Sequence, residues 1–380
     1  MVCDKMNKNK GICVVNFPIL KTGVKPVFQL IQIIKQVKDT NYLICGSLDN
    51  HSLEKMIPDI HYIKIDHRKM ENFFFRIVSY IRTQILMTIE IIKLKNVVET
   101  YLFFIGTEDM IIPHLVSKIL RKKTLFLLAG FPSKRSYSNK DLFFIFQKAL
   151  SKINFFLTNK VLVYSKEIIT ERNLHYLDKK IAVFQRHYIP HSEILFKNIS
   201  KKKENIGFLG EICLPKGIQN LIVAIKQLKD QKVNVNLHIG GFGEKKFVDK
   251  LKKYIEKTDL KNQVFFHGWI NREDIPLFLS NMKYFILPSL SEGLPNVLLE
   301  AMGCGCCVIS TKVGGIPDII VDSVNGILLE SNSTDAIVDG FLRTKSLNLD
   351  ILSKNASEFI KKKFSFKYSV ENFRSIYKKI

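Results

Sequence analysis

Two glutamates eight residues apart, Glu292 and Glu300, bracket a turn built to hold an anion. Between them lie Gly293, Leu294, Pro295, Asn296 and Val297. Pro295 suits the first position of a helix, where its missing N–H has no partner to lose. The amides of Gly293, Leu294, Asn296 and Val297 are then expected to point out of the helix start, where the backbone dipole favours negative charge. Glu292 falls on the loop and Glu300 about two turns along the helix. Lys216, in the loop Gly210–Gly217 (GEICLPKG), adds a point charge suited to a diphosphate. Gly210 and Gly241 sit on glycine-bearing loops at strand ends, where backbone can approach a phosphate closely. Glu300 is placed like the acidic residue that takes ribose hydroxyls in other nucleotide sites. Together these residues describe a nucleotide-diphosphate pocket, with Glu292 and Gly293 facing whatever group is attached beyond the phosphates.

Such a pocket needs strands that end together. Short apolar runs predict strands at 11–17, 42–45, 61–65, 101–105, 125–128 and 161–164, and a second series at 206–209, 235–239, 264–266, 284–287 and 308–310. Helical periodicity falls between them, so both halves read as α/β with a mostly parallel sheet covered on both faces. The first strand leads into a loop holding Thr22-Gly23 and then a helix, the opening unit of a nucleotide-binding style domain. The segment 192–205, with Lys201-Lys202-Lys203, reads as a linker, and Gly314-Gly315 is expected to turn into a helical segment at Pro317. Phe364 to Ile380 reads as a basic amphipathic helix that follows the second domain.

At 380 residues the chain is too long for one ordinary core and predicts two domains. Apolar residues make up 46%, which excludes a disordered chain. The net charge of +23 predicts anionic partners, without choosing among nucleic acid, a membrane face and phosphorylated small molecules. No signal peptide or apolar window of spanning length is legible, so the expectation is a cytoplasmic chain. Seven cysteines, unevenly placed, do not form a disulfide framework, and Cys304, Cys306 and Cys307 read as small buried packing residues rather than metal ligands. The stretches 68–95 and 134–160 mix Phe, Ile and Leu with Lys and Arg. Two readings stand for them: a face resting on an anionic membrane, or core-packing helices with solvated lysines.

The stretch Glu292-Gly293-Leu294-Pro295-Asn296-Val297-Leu298-Leu299-Glu300 resembles the E-x7-E signature of the family 4, or group 1, glycosyltransferases. The resemblance runs in order through FLGEICLPKG, LHIGGFGE, FFHGW, the E-x7-E unit, VGGIPDII and Asn325-Gly326. In the first half it is confined to the Thr22-Gly23 loop and the strand–helix alternation. It implies a GT-B fold: two Rossmann-like α/β domains facing a central cleft, an acceptor-side domain at 1–197 and a nucleotide-sugar domain at 203–361, with the helix at 362–380 crossing back to the first. It implies a retaining enzyme using a UDP- or GDP-sugar donor, with no required cofactor or metal. Glu292 and Lys216 are the implied catalytic residues, Glu292 on the sugar's hydroxyls and Lys216 on the diphosphate. Gly23, Gly210, Gly241 and the run from Gly293 to Val297 complete the implied donor site, and Glu300 takes the ribose. The implied acceptor is a glycan or lipid-linked hydroxyl in surface polysaccharide or glycolipid synthesis, peripheral to the inner face of the membrane.

Two departures from the family pattern stand out. The family usually places Arg after the glycine of the first loop, whereas this chain has Glu211. The family's first domain often presents a histidine to the donor sugar, whereas the strand ends here offer Gly106-Thr107 and Ala129-Gly130, and His114 reads as an ordinary helix histidine. Glu211 keeps a second class of function open, a catalytically silent partner subunit that binds nucleotide sugar. A nucleotide-sugar epimerase lacks placeable acid–base groups in the first domain. Nucleic-acid binding is disfavoured because the lysines are dispersed and no aromatic-basic motif stands out.

Overall fold

The computed structural model describes residues 11–17, 24–39, 42–46, 54–66, 73–128 and 142–380. The basic leader, the Thr22-Gly23 loop and Ala129-Gly130 lie outside the described residues. The chain divides into two compact units. One comprises the chain up to Tyr164, Ile168–Arg186 and Ser369–Ile380, and the other comprises Ser165–Glu167 and His187–Tyr368.

The first unit carries β1 (Gly11–Asn16), β2 (Tyr42–Gly46), β3 (His61–Ile65), β4 (Val98–Phe103), β5 (Lys123–Leu127), β6 (Lys160–Val163) and β7 (Ile181–Val183). They form one sheet in the order β3-β2-β1-β4-β5-β6-β7, and the pairings are parallel. All six residues of β1, GICVVN, are buried, as expected for a strand covered on both faces. Its helices are α1 (Val24–Lys35), α2 (Phe73–Lys93), α3 (Ile111–Ile119), α4 (Leu142–Leu157) and the short α5 (Glu167–Glu171).

The second unit carries β8 (Asn205–Leu209), β9 (Asn236–Gly240), β10 (Val264–Gly268), β11 (Tyr284–Leu287), β12 (Cys307–Thr311) and β13 (Ile327–Leu329). Their order is β10-β9-β8-β11-β12-β13, again with parallel pairings. The interleaved helices are α6 (Ile218–Asp230), α7 (Lys245–Lys257), α8 (Ile275–Ser280), α9 (Asn296–Gly303), α10 (Thr334–Arg343) and α11 (Leu349–Lys363). Two strands were not legible beforehand, β7 and β13, because three residues are too few to show a period.

Two expectations need correction. The helical segment expected at Pro317 is a single 3-10 turn, Ile316–Asp318. Asn325 stops it: its Oδ1 accepts the Val321 amide at 2.7 Å, and its Nδ2 donates to the Ile319 carbonyl at 3.1 Å. The segment 192–205 is not a free linker. Ile199 and Lys202 are buried, and Lys202 Nζ donates to the Cys304 carbonyl at 2.8 Å. Burial lowers the Lys202 pKa, and the nearby cysteine groups oppose this. Cys304 and Cys306, which it meets, and Cys307 beside them are buried packing residues. Cys306 Sγ donates to the Leu279 and Met282 carbonyls, and burial pushes the Cys304 and Cys307 thiols up to about 12.

The final helix, α12 (Phe366–Tyr377), supplies core to the first unit from Ser369 onward. Phe373 is buried, its ring 5.2 Å from that of Phe184, and Tyr377 Oη lies 3.0 Å from Thr100 Oγ1 beside β4. Asn372 Oδ1 accepts the Gln185 amide at 2.8 Å. Truncating a buried phenylalanine removes its transfer free energy and leaves a cavity. Phe373→Ala is therefore expected to destabilise the first unit by about 3–5 kcal/mol. Urea unfolding followed by circular dichroism checks this, and an unchanged midpoint would contradict the packing role of α12.

Candidate functional site

Parallel strands end on one edge of the sheet, so the loops after β8, β9, β10, β11 and β12 share that edge. Strand order runs one way from β8 to β10 and the other way from β11 to β13. The reversal between β8 and β11 parts the adjoining loops and leaves a crevice, the usual ligand position in an open α/β sheet. Lys216 follows β8 and Glu292 follows β11, so they stand on opposite sides of this crevice. They meet there: Lys216 Nζ lies 2.6 Å from Glu292 Oε1, and Ser289 Oγ donates to the same oxygen at 2.6 Å.

Backbone contacts hold the two loops in place. Gly217 has φ +70°, and a Cβ there would lie 2.0 Å from the Pro288 carbonyl oxygen, so only glycine fits. The Leu290 amide donates to the Pro215 carbonyl at 2.8 Å. On the far side Gly314, at φ +56°, passes so close to the Glu292 carbonyl that a Cβ would lie 2.0 Å from it. The Gly315 amide donates to the Gly293 carbonyl at 2.7 Å. Glu292 is thus carried on a loop clamped from both neighbours, with little freedom to move.

Gly210 and Gly241 come together at the β8 and β9 ends. The Gly210 amide donates to the Gly240 carbonyl at 3.0 Å, and the Gly241 amide to the Gly268 carbonyl at 2.7 Å. A Cβ on Gly241 would sit 1.8 Å from the Gly210 carbonyl oxygen, whereas a Cβ on Gly210 would meet nothing within 4 Å. Gly210 therefore leaves open space above the strand end. The helix α9 begins after Pro295, which offers no side-chain cap. Among the described residues no backbone carbonyl accepts from the amides of Asn296 or Val297, so the helix start keeps donors for an anion. Asn296 Oδ1 lies 2.7 Å from His187 Nδ1, which fixes the side chain at that helix start.

Glu300 is 2% exposed on the inner face of α9. Arg272, in the loop after β10, brings Nη1 to 2.7 Å from Glu300 Oε1, an ion pair with a buried carboxylate. Its Nη2 pairs with Glu193. Partial burial works against the Arg272 charge, and the two carboxylates outweigh it, raising its pKa. Neither Arg272, Ser289 nor His187 was anticipated. The signal for Arg272 was a basic residue in the polar turn Asn271–Asp274 after a strand of the same edge; His187 and Ser289 carried none, since their partners are set by the fold.

Other expected positions fall elsewhere. Gly23 lies outside the described residues. Glu211 is exposed beside Gly210 with no ion pair among the described residues. His114 is buried in the first unit against Phe103 and Phe126, ring centroids 4.9 and 6.4 Å away. Burial lowers its pKa to about 3, so it is a neutral core histidine.

Residues 191–363 match the family described as Glycosyl transferases group 1. An uncharacterised glycosyltransferase of Methanocaldococcus jannaschii is 29% identical over 275 residues, 68% of this chain and 69% of that protein. The Escherichia coli UDP-Gal:alpha-D-GlcNAc-diphosphoundecaprenol alpha-1,3-galactosyltransferase is 34% identical over 128 residues, 33% of each chain. With other relatives the shared stretch is 60% or less of their own length. Among solved structures, Anabaena HepE in complex with UDP superposes with a TM-score of 0.74 at 16% identity, covering 97% of this chain and 100% of that one. Residues 191–363 are accordingly similar to the group 1 glycosyltransferases, and the chain as a whole, with its two parallel-sheet α/β units, has the architecture of the glycosyltransferases of GT-B fold.

Proposed function

We propose that the protein is a retaining glycosyltransferase that moves a hexosyl group from a UDP- or GDP-sugar to a hydroxyl of a glycan or lipid-linked acceptor. Its setting is surface polysaccharide or glycolipid synthesis on the cytoplasmic, anionic face of a membrane. The observation that carries this reading is the meeting of Lys216 and Glu292 across the crevice where the strand order reverses. The donor's diphosphate draws Lys216 away from Glu292, and the amides at the start of α9 take further phosphate oxygens. Both bonds to Glu292 use Oε1, which leaves Oε2 for a sugar hydroxyl. Glu300 serves the ribose, with Arg272 setting the carboxylate's position. Gly210 and Gly241 keep the β8 and β9 ends free of side chain where the nucleotide passes.

In the reaction the bond from the anomeric carbon to the diphosphate oxygen breaks, and the oxygen leaves with the electron pair. The acceptor oxygen forms its bond on the same face, and its proton passes to the departing diphosphate. The catalytic contribution is stabilisation of charge on that leaving group, by Lys216 and the α9 amides, without a required metal. The Escherichia coli relative is named for a UDP-sugar donor and a lipid diphosphate acceptor, and the Anabaena neighbour holds UDP, which supports the same substrate classes here.

The second reading, a silent nucleotide-sugar-binding subunit, is favoured by one observation. Glu211 stands where the family carries a cation, and among the described residues nothing neutralises it. Release of nucleotide from a panel of donor sugars with a lipid extract as acceptor separates the two. Turnover supports the transferase, and tight UDP or GDP binding without turnover supports the silent subunit.

Calorimetry with UDP and GDP in the presence of EDTA tests the pocket. Removing a charged hydrogen-bond donor costs about 1.5–3 kcal/mol, so Lys216→Ala is expected to weaken binding roughly 10- to 100-fold. Glu300→Ala should also weaken it, and unchanged affinity in both variants would overturn the assignment. Glu211→Arg is expected to tighten nucleotide binding about tenfold by exchanging repulsion for attraction, and unchanged binding would show that residue 211 lies away from the phosphates. Arg272→Ala strands a buried carboxylate. Because the arginine is 42% exposed, the expected loss is about 1–2 kcal/mol, less than for a fully buried pair, and a thermal melt at neutral pH reads it.

A further inference from the structure

The helix α2 is apolar on its exposed side as well as on its buried side, more than a helix of a free-standing unit needs. The side against the rest of the first unit carries Met87 and Ile91, fully buried, together with buried Ser79, Thr83, Gln84 and Thr88. Their polarity is absorbed locally: Thr83 Oγ1 donates to the Ser79 carbonyl at 2.8 Å, and Thr88 Oγ1 to the Gln84 carbonyl at 2.7 Å. Gln84 Oε1 accepts the Ile112 amide of α3 at 3.0 Å. The outward side carries Phe74, Val78, Ile81, Ile85, Ile89 and Ile92, in steps of four, three, four, four and three residues. Each is more than two-fifths exposed, with Phe74 at 66%. Over 21 residues the helix is about 31 Å long, so the stripe is far larger than singly scattered exposed apolar residues.

The apolar exposure continues on the neighbouring helices. Ile119 at the end of α3 is 76% exposed, and Ile153 and Phe156 of α4 are also exposed. Helices α2 and α3 are joined by the Gln84 bond, and α4 joins the same layer through Asn154 Nδ2, which donates to the Glu108 carbonyl just before α3 at 2.9 Å. The charge around the stripe has one sign. Among the described residues these helices carry Arg76, Arg82, Lys93, Lys118 and Lys152 against one acidic residue, Glu90, which is itself paired with Lys93 at 2.7 Å.

We propose that this helical layer is a docking surface for an anionic lipid bilayer, with α2 lying along the interface and its Phe and Ile side chains entering the acyl boundary. Apolar residues on one side with basic residues beside them are what an anionic interface selects. A second copy of the chain fits less well, because a symmetric contact through this face would bring the exposed Arg82 against basic residues of the other copy. The inference deepens the proposed membrane setting of the acceptor, and its readout is independent of sugar transfer.

The test is co-sedimentation of the full chain with vesicles of phosphatidylcholine alone or mixed with phosphatidylglycerol. Binding to the mixed vesicles is expected, and the double variant Ile85→Glu with Ile89→Glu should partition at least about tenfold more weakly. UDP affinity and the thermal midpoint of that variant should stay unchanged, since both positions are solvent-facing. If it fails to fold, Phe74→Ser with Phe75→Ser at the exposed start of α2 takes its place, with the same expected loss. Wild-type protein that stays in the supernatant with mixed vesicles, or variants that bind as well as wild type, would overturn the proposal. A lipid-free dimer that the double variant turns into a monomer would overturn it in favour of a second copy. Loss of UDP binding with vesicle binding intact would instead strike the donor-site reading alone.

Discussion

The reversal of strand order between β8 and β11 is the constraint on which the candidate site depends. Every strand of a parallel sheet delivers its following loop to the same edge, but adjacent loops normally crowd one another. Where the order reverses, two helices depart in opposite directions and a gap opens between them. Lys216 and Glu292 are the two side chains that this gap brings face to face from segments 76 residues apart. Glycines at 217, 241 and 314 are needed because the surrounding backbones come closer than any Cβ would permit. The loops have been packed for position, and the resting ion pair keeps both charges satisfied inside it.

The second carboxylate shows a different solution. Glu300 is almost wholly buried, and a buried carboxylate needs compensation. Arg272 supplies it from the β10 loop, and Glu193 draws the other side of the guanidinium. Two segments distant in sequence, those of Arg272 and Glu193, therefore settle one carboxylate on α9. The ion pair engages Oε1 of Glu300, and a carboxylate has a second oxygen with which to accept from another partner.

What could be read from the residues alone follows from how local each feature is. The E-x7-E loop, the glycine loops and the buried strands were legible because each depends on one contiguous stretch. β4 begins at Val98, three residues before the strand expected over 101–105, since Val98 and Glu99 mix polar with apolar there. Arg272, Ser289 and His187 were not legible as site residues, because their partners lie on other loops. The single 3-10 turn at Pro317 and the buried Lys202 have different causes: the side chain of Asn325 captures nearby backbone groups in the first, and a long-range hydrogen bond to the Cys304 carbonyl holds the second. For α2 the mixture of Phe, Ile and Arg was visible in the chain, but only the fold tells which side of the helix faces water.

The attachment of residues 369–380 to the first unit has a consequence for how the chain is made. Synthesis proceeds from the N-terminus, and domains generally fold as they emerge. Here the seven-stranded sheet lacks Phe373 and its neighbours until about 180 further residues have been added, roughly 10–40 s at ordinary ribosomal rates. During that interval the surface of Phe184 that Phe373 will cover stays wet, while the second unit can complete itself first. The unit encoded first is thus the one finished last, and its unfinished state is the interval in which the growing chain most needs a chaperone.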